Sequence, residues 1–184
     1  MTKKPGFFSE LMSEKVMQTL ENMLDTLDST REKLLTAIQH LPDEALLEPE
    51  AIGRFAVADV LALQAAWEAE LVTGLMRLDQ GKKPERLLQA LADPTSYNKL
   101  RFIENHGRSL DSIFNDYQHV RIQLEDWLTV FSEKALNNRK RFKSLNGRSL
   151  AEIVAQVTWQ REEKFVEPFA AFARVWTEQH TIAA

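Results

Sequence analysis

The predicted helices of this chain place polar side chains on faces that are otherwise apolar. In the stretch "FAVADVLALQAAWEAELVTGL", residues 55–75, Gln64 falls about 40° from Val60 on a helical wheel and lies inside the arc that Val60 shares with Trp67. Glu68 flanks that arc. The same construction puts an arginine on the inward face of each of the other three long helices, at Arg31, Arg121 and Arg161.

A guanidinium inside a helical bundle needs hydrogen-bond partners, because burying an unpaired charge costs several kcal/mol. Acids that flank these faces, such as Asp28, Glu68 or Glu125, would satisfy the arginines within the protein. An anionic or carbonyl-bearing ligand in a polar cavity between the helices would also satisfy them. The wheel by itself favours internal ion pairs. A hydrolase or transferase that uses a water positioned by Glu68 is a third interpretation.

The chain lacks the side chains that most metal and covalent chemistry requires. It has no cysteine, and no two of its four histidines lie three or four residues apart, so the sequence offers no helical pair of metal ligands. His119 falls on the solvent side of the third predicted helix. A thiolate mechanism is excluded, and a catalytic triad lacks a well-placed base. We therefore expect no metal and no cofactor.

Four long helices are predicted to position these residues, because apolar residues recur at three- and four-residue steps between breaks of glycine or proline. The predicted helices cover about 9–41, 57–80, 109–131 and 149–178. Short helices near 85–92 and 97–105 are expected between the second and the third. Pro168 is expected to kink or divide the fourth helix. The sequence therefore predicts an all-α four-helix bundle in a single domain over 1–184.

Composition limits the class of protein and of partner. With 184 residues, 44% of them hydrophobic and 27% charged, the chain is typical of a globular domain. Its net charge of −4 argues against a nucleic-acid partner, and the short basic run at 139–143 is predicted to be a solvated loop. No stretch has the length and apolar content of a secretory signal or a membrane span. We therefore expect a cytoplasmic protein with no membrane partner.

The fourth predicted helix carries Trp159 on its outer side. A tryptophan in that position is covered either by the 82–108 connection or by a partner. The sequence leaves both interpretations open, so a homodimer is one of the assemblies considered.

The region around the second helix carries a pattern of residues that occurs in a known family. The stretch "LPDEALLEPEAIGRFAVADVLALQAAWEAEL" resembles the DinB/YfiT-like superfamily, and particularly its ClbS/DfsB branch of four-helix bundles. The matching positions are Leu41, Pro42, Asp43, Gly53, Asp59, Leu61, Trp67 and Glu68. The stretches "SYNKLRFIENHGRSLDSIFNDYQHV" and "GRSLAEIVAQVTWQREEKFVEPF" extend the resemblance through the third and fourth helices. The resemblance implies the same bundle fold over most of the chain.

Several positions depart from the superfamily's pattern. Its metal-binding members carry three histidines, and the corresponding positions here are Leu63, Arg161 and Phe165. A tryptophan and a serine of the pattern are replaced by Phe55 and Ala56. The resemblance therefore does not imply the metal-dependent thiol transfer of some relatives. The ClbS/DfsB branch, whose members generally lack that triad, implies instead a small-molecule-binding or resistance protein, and one member type protects its producer against a genotoxic metabolite.

We therefore hypothesise a metal-free bundle that binds a small polar or anionic molecule in its interior, in stress response or self-protection. The candidate site residues are Arg31, Gln64, Trp67, Glu68, Asn98, Arg121 and Arg161. Trp67 would form an apolar wall, Gln64 an amide contact and the arginines the anion contacts, whereas Asn98 and its neighbour Tyr97 are implied by the resemblance alone. The alternative is a non-catalytic structural or interaction protein, a homodimer whose arginines form internal salt bridges. Whether the protein is an enzyme is left open.

Overall fold

The computed structural model describes residues 17–181. Within that range, the regular secondary structure is helical apart from one isolated β-bridge, between Ile52 and Phe55. The helices are α1 Leu20–Thr36, α2 Asp43–Leu46, α3 Val57–Asp79, α4 Glu85–Ala92, α5 Pro94–Asn105, α6 Leu110–Thr129, α7 Glu133–Asn137, α8 Leu150–Val157 and α9 Trp159–Thr181. A short 3₁₀ turn, Lys143–Leu145, precedes α8. This arrangement confirms the prediction of an all-α bundle with short helices between its second and third long elements.

The helix α3 lies at the centre of the bundle, because 16 of its 23 residues are buried, which a helix exposed on one face does not show. It packs mainly against α6, and α4 and α5 cover another of its faces, while α1 packs against α9. The contact with α4 is close: a side chain at Gly74 would place its Cβ 2.6 Å from Leu87 Cδ2. In the described part, no helix combines the length and apolar character that a bilayer span requires.

The ends of the first predicted helix differ from the structure. Its predicted start near residue 9 lies outside the described residues, and α1 ends at Thr36 rather than near Leu41. After Thr36 the backbone changes to three-residue steps, in which the amide of Ile38 donates to the carbonyl of Leu35 (3.1 Å). The chain then begins the short helix α2 directly after Pro42, a position that suits a helix start. The sequence analysis did not predict α2.

The fourth predicted helix is divided, but not at the proline. Thr158 has φ −109° and ψ −103°, which ends α8, and its carbonyl accepts the amides of Arg161 (2.9 Å) and Glu162 (3.1 Å) in the first turn of α9. Pro168 lies inside α9, which continues to Thr181. A proline removes one helical hydrogen bond but does not by itself end a helix that packs against its neighbours. Pro168 therefore does not divide the helix, and the alternative expectation, a kink at this residue, stays a prediction.

Candidate functional site

Five buried polar side chains from four helices meet inside the bundle, and we call them the arginine network. They are Arg31 from α1, Glu68 from α3, Tyr117 and Arg121 from α6, and Glu162 from α9. None of them is more than 8% exposed. Two guanidinium groups and two carboxylates balance in charge, which is the condition under which buried ions are tolerated.

Every nitrogen of the Arg31 guanidinium has a partner in this network. Nε and Nη2 donate to Glu162 Oε1 at 3.0 and 2.7 Å, and Nη2 also donates to Glu68 Oε1 at 2.8 Å. Nη1 donates to the backbone carbonyl of Tyr117 at 2.7 Å. The guanidinium carbon also lies 3.6 Å from the centroid of the Tyr117 ring, which adds a cation–π contact.

Arg121 is held in the same way from the opposite side of Glu68. Nη2 donates to Glu68 Oε1 at 2.5 Å and to Glu162 Oε1 at 3.2 Å, while Nε donates to Glu68 Oε2 at 3.3 Å. Nη1 donates to the carbonyl of Leu27 at 2.9 Å. Burial alone would lower the pKa of Arg121, but the charges of Glu68 and Glu162 outweigh it and raise that pKa. Arg121 therefore stays charged.

The two oxygens of the Glu162 carboxylate differ in their hydrogen-bond partners. The hydroxyl of Tyr117 donates to its Oε1 at 2.8 Å, beside the bonds from the two arginines, whereas its Oε2 is buried without a partner. Burial raises the pKa of Tyr117 well above its ordinary value, and the neighbouring carboxylates add to the rise although Arg31 opposes it. The phenol therefore stays neutral and serves as a donor.

These contacts show which groups bind two of the three arginines that were predicted to face inward. Arg31 and Arg121 form internal ion pairs with Glu68 and Glu162. Both oxygens of Glu68 accept hydrogen bonds from arginines, Oε1 from both guanidinium groups and Oε2 from Arg121 alone. Gln64, one turn earlier on α3, is also buried, with 2% of its surface exposed.

The sequence analysis missed Glu162, although it identified the neighbouring Arg161. A helical wheel keeps its phase only along an unbroken helix, and the break at Thr158 rotates α9 relative to α8. Glu162 is fully buried as a result, while Arg161 is only half-buried. Trp159 differs from its prediction for the same reason. The wheel predicted that it lies on the outer side of the helix, whereas in the structure it is 9% exposed and belongs to the core of one chain.

Arg161 belongs to a second polar cluster, which we call the Arg161 site: Trp67, Tyr97, Asn98 and Arg161. Its guanidinium carbon lies 4.3 Å from the centroid of the Trp67 ring, and Nη2 donates to Asn98 Oδ1 at 3.4 Å. No acid of the described residues pairs with this guanidinium, and its Nε is buried without a partner. Burial lowers the pKa of Arg161 to about 10, with a small opposing effect from Tyr97.

The helix α5 supplies the outer half of the Arg161 site. The indole Nε1 of Trp67 donates to Asn98 Oδ1 at 2.8 Å, so this one oxygen serves both Trp67 and Arg161. The Tyr97 ring lies 4.4 Å from the Trp67 ring, and its hydroxyl donates to the carbonyl of Ala66 at 2.9 Å. Burial and the charge of Glu70 raise the pKa of Tyr97 to about 12. The structure thus brings Trp67, Asn98 and Arg161 together.

A pocket of about 460 Å³ opens beside this cluster, and Asn98 forms part of its wall. We call it the α5 pocket; its lining is Arg54, Phe55, Thr95, Asn98, Lys99, Phe102 and Ile103. The rings of Phe55 and Phe102 meet edge to face, 5.3 Å apart, and form an apolar wall. The lining contains two cations and no acid, so it suits an anion that has an apolar body.

Other side chains occupy the three positions at which the pattern that the sequence resembles carries histidines. Leu63 is buried in the apolar core, Phe165 packs against that core, and Arg161 contacts Trp67. Within 17–181, no group of three histidine, aspartate or glutamate side chains is arranged to hold a metal ion. The residues in these positions supply no metal ligand, because neither hydrocarbon nor guanidinium side chains coordinate cations.

Comparison with known proteins relates the chain to solved structures rather than to sequences. No family model matches it, and no curated protein matches it significantly by sequence. An uncharacterised protein from Escherichia coli UTI89 is similar in structure, with a TM-score of 0.71 and 15% identity over 89% of this chain and 95% of the other. The structure titled "Sibling Lethal Factor Precursor - DfsB" matches with a TM-score of 0.67 and 16% identity, over 89% of this chain and 97% of the other. The chain therefore has the helical-bundle fold of DfsB, as its resemblance to the ClbS/DfsB branch implied.

Proposed function

We propose that the protein binds a small anionic molecule with an apolar body, and that the molecule occupies the α5 pocket with its anionic group directed toward Arg161. The observation that carries the proposal is Arg161 itself, a half-buried guanidinium without a carboxylate partner among the described residues. A bound carboxylate would supply the missing partner and would raise the lowered pKa of this group. The proposal moves the binding site from the bundle interior, where the sequence analysis placed it, to the junction of α3, α5 and α9.

The lining of the α5 pocket supports this class of ligand. Arg54 and Lys99 add positive charge at the pocket, while Phe55, Phe102 and Ile103 offer apolar contacts. Ile103 is 62% exposed, so its side chain is accessible to a ligand in the pocket. Asn98 connects the pocket to Arg161, because its side-chain oxygen bonds both Trp67 and Arg161.

The biological role that we propose is sequestration of such a molecule in stress response or self-protection. The ClbS/DfsB branch that the sequence resembles includes proteins that protect their producer, and the fold shared with DfsB is compatible with that role. A chemical step is not required by this proposal, because binding alone lowers the free concentration of a harmful metabolite.

The proposal is tested by thermal unfolding of the protein with indole-3-acetate, an aromatic carboxylate, and with indole-3-acetamide, its neutral counterpart. We expect the carboxylate to raise Tm and the amide to leave it unchanged, because a ligand that binds only the folded state stabilises it by mass action. At a concentration of about 100 times Kd the stabilisation would be about 2.7 kcal/mol.

The matched variants are Arg161→Met and Arg174→Met. Arg161→Met removes the unpaired guanidinium and should abolish the carboxylate-dependent shift in Tm. Arg174 is exposed and pairs with Glu167 on the surface, so Arg174→Met should keep the shift. An equal shift in both variants, or no shift with the carboxylate in the unmodified protein, would contradict the proposal.

A further inference from the structure

A second pocket, of about 380 Å³, lies between two segments that are far apart in the sequence. One segment is the turn after α3, which contributes Lys82 and Lys83, and the other leads into the 3₁₀ turn and contributes Arg141 and Lys143. Asp79 is the one acid in the lining. Four cations therefore meet one carboxylate, in a chain whose net charge is −4.

The first wall of this basic pocket is fixed by its own hydrogen bonds. Gly81 adopts φ +70°, a conformation that glycine tolerates, and the amide of Lys82 donates to the carbonyl of Arg77 at 2.7 Å. The side chain of Arg77 also binds this turn, because its Nε donates to the carbonyl of Lys83 at 2.8 Å. Lys82 and Lys83 thus extend from a tight turn that is tied back to α3.

Apolar side chains attach the second wall of the basic pocket to the core. The amide of Arg141 donates to the carbonyl of Asn138 at 3.0 Å, and that of Leu145 donates to the carbonyl of Phe142 at 3.0 Å. Leu145 is fully buried, and the Phe142 ring packs edge to face on Phe131 at 5.9 Å. The charged residues of the basic run at 139–143 are exposed to solvent, while Phe142 within it packs against the core.

Direct ion pairs within the described residues do not neutralise the four cations of the basic pocket. Within the part of the chain that the structure describes, none of Lys82, Lys83, Arg141 and Lys143 forms an ion pair with an acid. The exposed or half-buried arginines that do form such pairs are Arg86, Arg101, Arg108, Arg139 and Arg174. Four like charges that share one nearby carboxylate, that of Asp79, repel one another, and a bound anion reduces that repulsion.

We propose that this basic pocket binds a small polyanion that carries two or more phosphate groups. Lysine and arginine are the side chains that recognise phosphate, the first as a point charge and the second through paired donors. The volume admits a di- or triphosphate group, while a nucleic-acid duplex would need a basic face longer than one pocket. The site is separate from the α5 pocket and shares no lining residue with it.

The test is isothermal titration of the full-length protein with inorganic triphosphate at low ionic strength, where screening is weak. The double variant Arg141→Gln/Lys143→Gln removes two of the four cations and should weaken binding by about tenfold or more, since a charge-assisted hydrogen bond contributes about 1.5 kcal/mol or more. The control, Lys33→Gln/Lys164→Gln, removes the same charge from exposed positions outside this pocket and should leave the affinity unchanged.

Two further ligands make the outcome specific. Citrate has comparable charge but carboxylates in place of phosphates, and we expect it to bind at least about tenfold more weakly than triphosphate. Equal affinity for citrate, equal losses in the two double variants, or no binding of triphosphate would overturn the proposal. A single-stranded DNA 12-mer that bound more tightly than triphosphate, through the same two residues, would also overturn it in favour of nucleic-acid binding.

Discussion

Two arginine environments lie side by side in this bundle, and they satisfy a buried charge in opposite ways. In the arginine network, Arg31 and Arg121 share two carboxylates, and every one of their guanidinium nitrogens has a partner. Arg161 precedes one of those carboxylates, Glu162, in the chain, yet it contacts only the face of Trp67 and a side-chain amide oxygen. In the first environment both guanidinium groups are fully paired, although Glu162 Oε2 has no partner among the described residues, and the second environment has an unused capacity for an anion.

The difference follows from the break between α8 and α9. Because Thr158 ends α8, the first turn of α9 directs Glu162 into the bundle and leaves Arg161 toward α5. The carboxylate of Glu162 therefore pairs with Arg31 and Arg121 and not with the adjacent Arg161. The network therefore pairs its two guanidinium groups within the protein, whereas the guanidinium of Arg161 has no carboxylate partner among the described residues.

The largest effect is expected from breaking the network. Glu162→Gln removes one of two carboxylates and leaves two buried guanidinium groups facing only Glu68, so we expect a loss of about 3–5 kcal/mol in the free energy of unfolding. Chemical denaturation monitored by circular dichroism measures this loss. The control is Glu163→Gln at the next position, which is exposed and should change stability by less than about 0.5 kcal/mol. Equal effects of the two variants would show that the network is not the source of stability.

A smaller effect is expected from Tyr117→Phe, which keeps the ring beneath Arg31 but removes the hydroxyl that donates to Glu162. The carboxylate oxygen retains its bonds from the arginines, so the expected loss is about 1.5 kcal/mol, the lower end for a hydrogen bond to a charged group. The matched control is Tyr97→Phe, whose hydroxyl donates to a neutral carbonyl and should cost about 1 kcal/mol or less. A larger loss in Tyr97→Phe than in Tyr117→Phe would contradict the ranking of the two environments.

The sequence was sufficient to predict the parts of the network that lie on unbroken helices. Arg31 and Arg121 occupy positions on α1 and α6 where the helical period continues on both sides, so a wheel assigns their direction correctly. Glu162 was missed because the helix breaks at Thr158, where no glycine or proline indicates a break in the sequence. Pro168, where the sequence does suggest a break, lies inside the continuous helix α9. The signal for a missing acid was the excess of inward arginines over inward carboxylates.

The Arg161 site depends on tertiary docking, which a single helix does not encode. The sequence predicted a short helix near 97–105, but periodicity does not say which of its side chains reaches Trp67 across the interface with α3. Asn98 was implied by the family resemblance alone, and the hydrogen bond from the Trp67 indole gives that implication a physical basis. The pocket beside Asn98 also includes Arg54 and Phe55, which belong to a loop whose path is set by packing.

The pKa values of Tyr97 and Arg161 also make the Arg161 site measurable through the pH dependence of stability. Tyr97 has a folded-state pKa of about 12 against an ordinary value of 10.0, because burial and Glu70 disfavour the phenolate. A raised folded-state pKa means that the unfolded chain releases its proton first, so the stability contributed below pH 10 is lost as the pH rises toward 12. The lowered pKa of Arg161 acts with the opposite sign in the same range, because there the folded state releases its proton first.

Alkaline unfolding curves should therefore respond differently to two variants. Tyr97→Phe should make stability fall less steeply between about pH 10 and 12, since the group responsible for part of the loss is absent. Arg161→Met should make the fall steeper, because it removes a contribution that rises with pH. Midpoints of urea denaturation across this range measure both slopes, and identical slopes in the two variants would contradict the assigned pKa shifts.

The smallest effect on stability is expected from Arg161→Met at neutral pH. The substitution removes a cation–π contact of about 0.5–1 kcal/mol and the long hydrogen bond to Asn98, but it also removes the desolvation cost of a half-buried charge and leaves no acid unpaired. We therefore expect the free energy of unfolding to change by less than about 1 kcal/mol, whereas Arg121→Met should cost about 3–5 kcal/mol because it leaves Glu68 and Glu162 underneutralised. Urea denaturation of the two variants under the same conditions makes the comparison. If Arg161→Met were as damaging as Arg121→Met, Arg161 would have a structural role equal to that of the network. A small cost in stability together with the loss of indole-3-acetate binding would instead separate the two environments by function as well as by geometry.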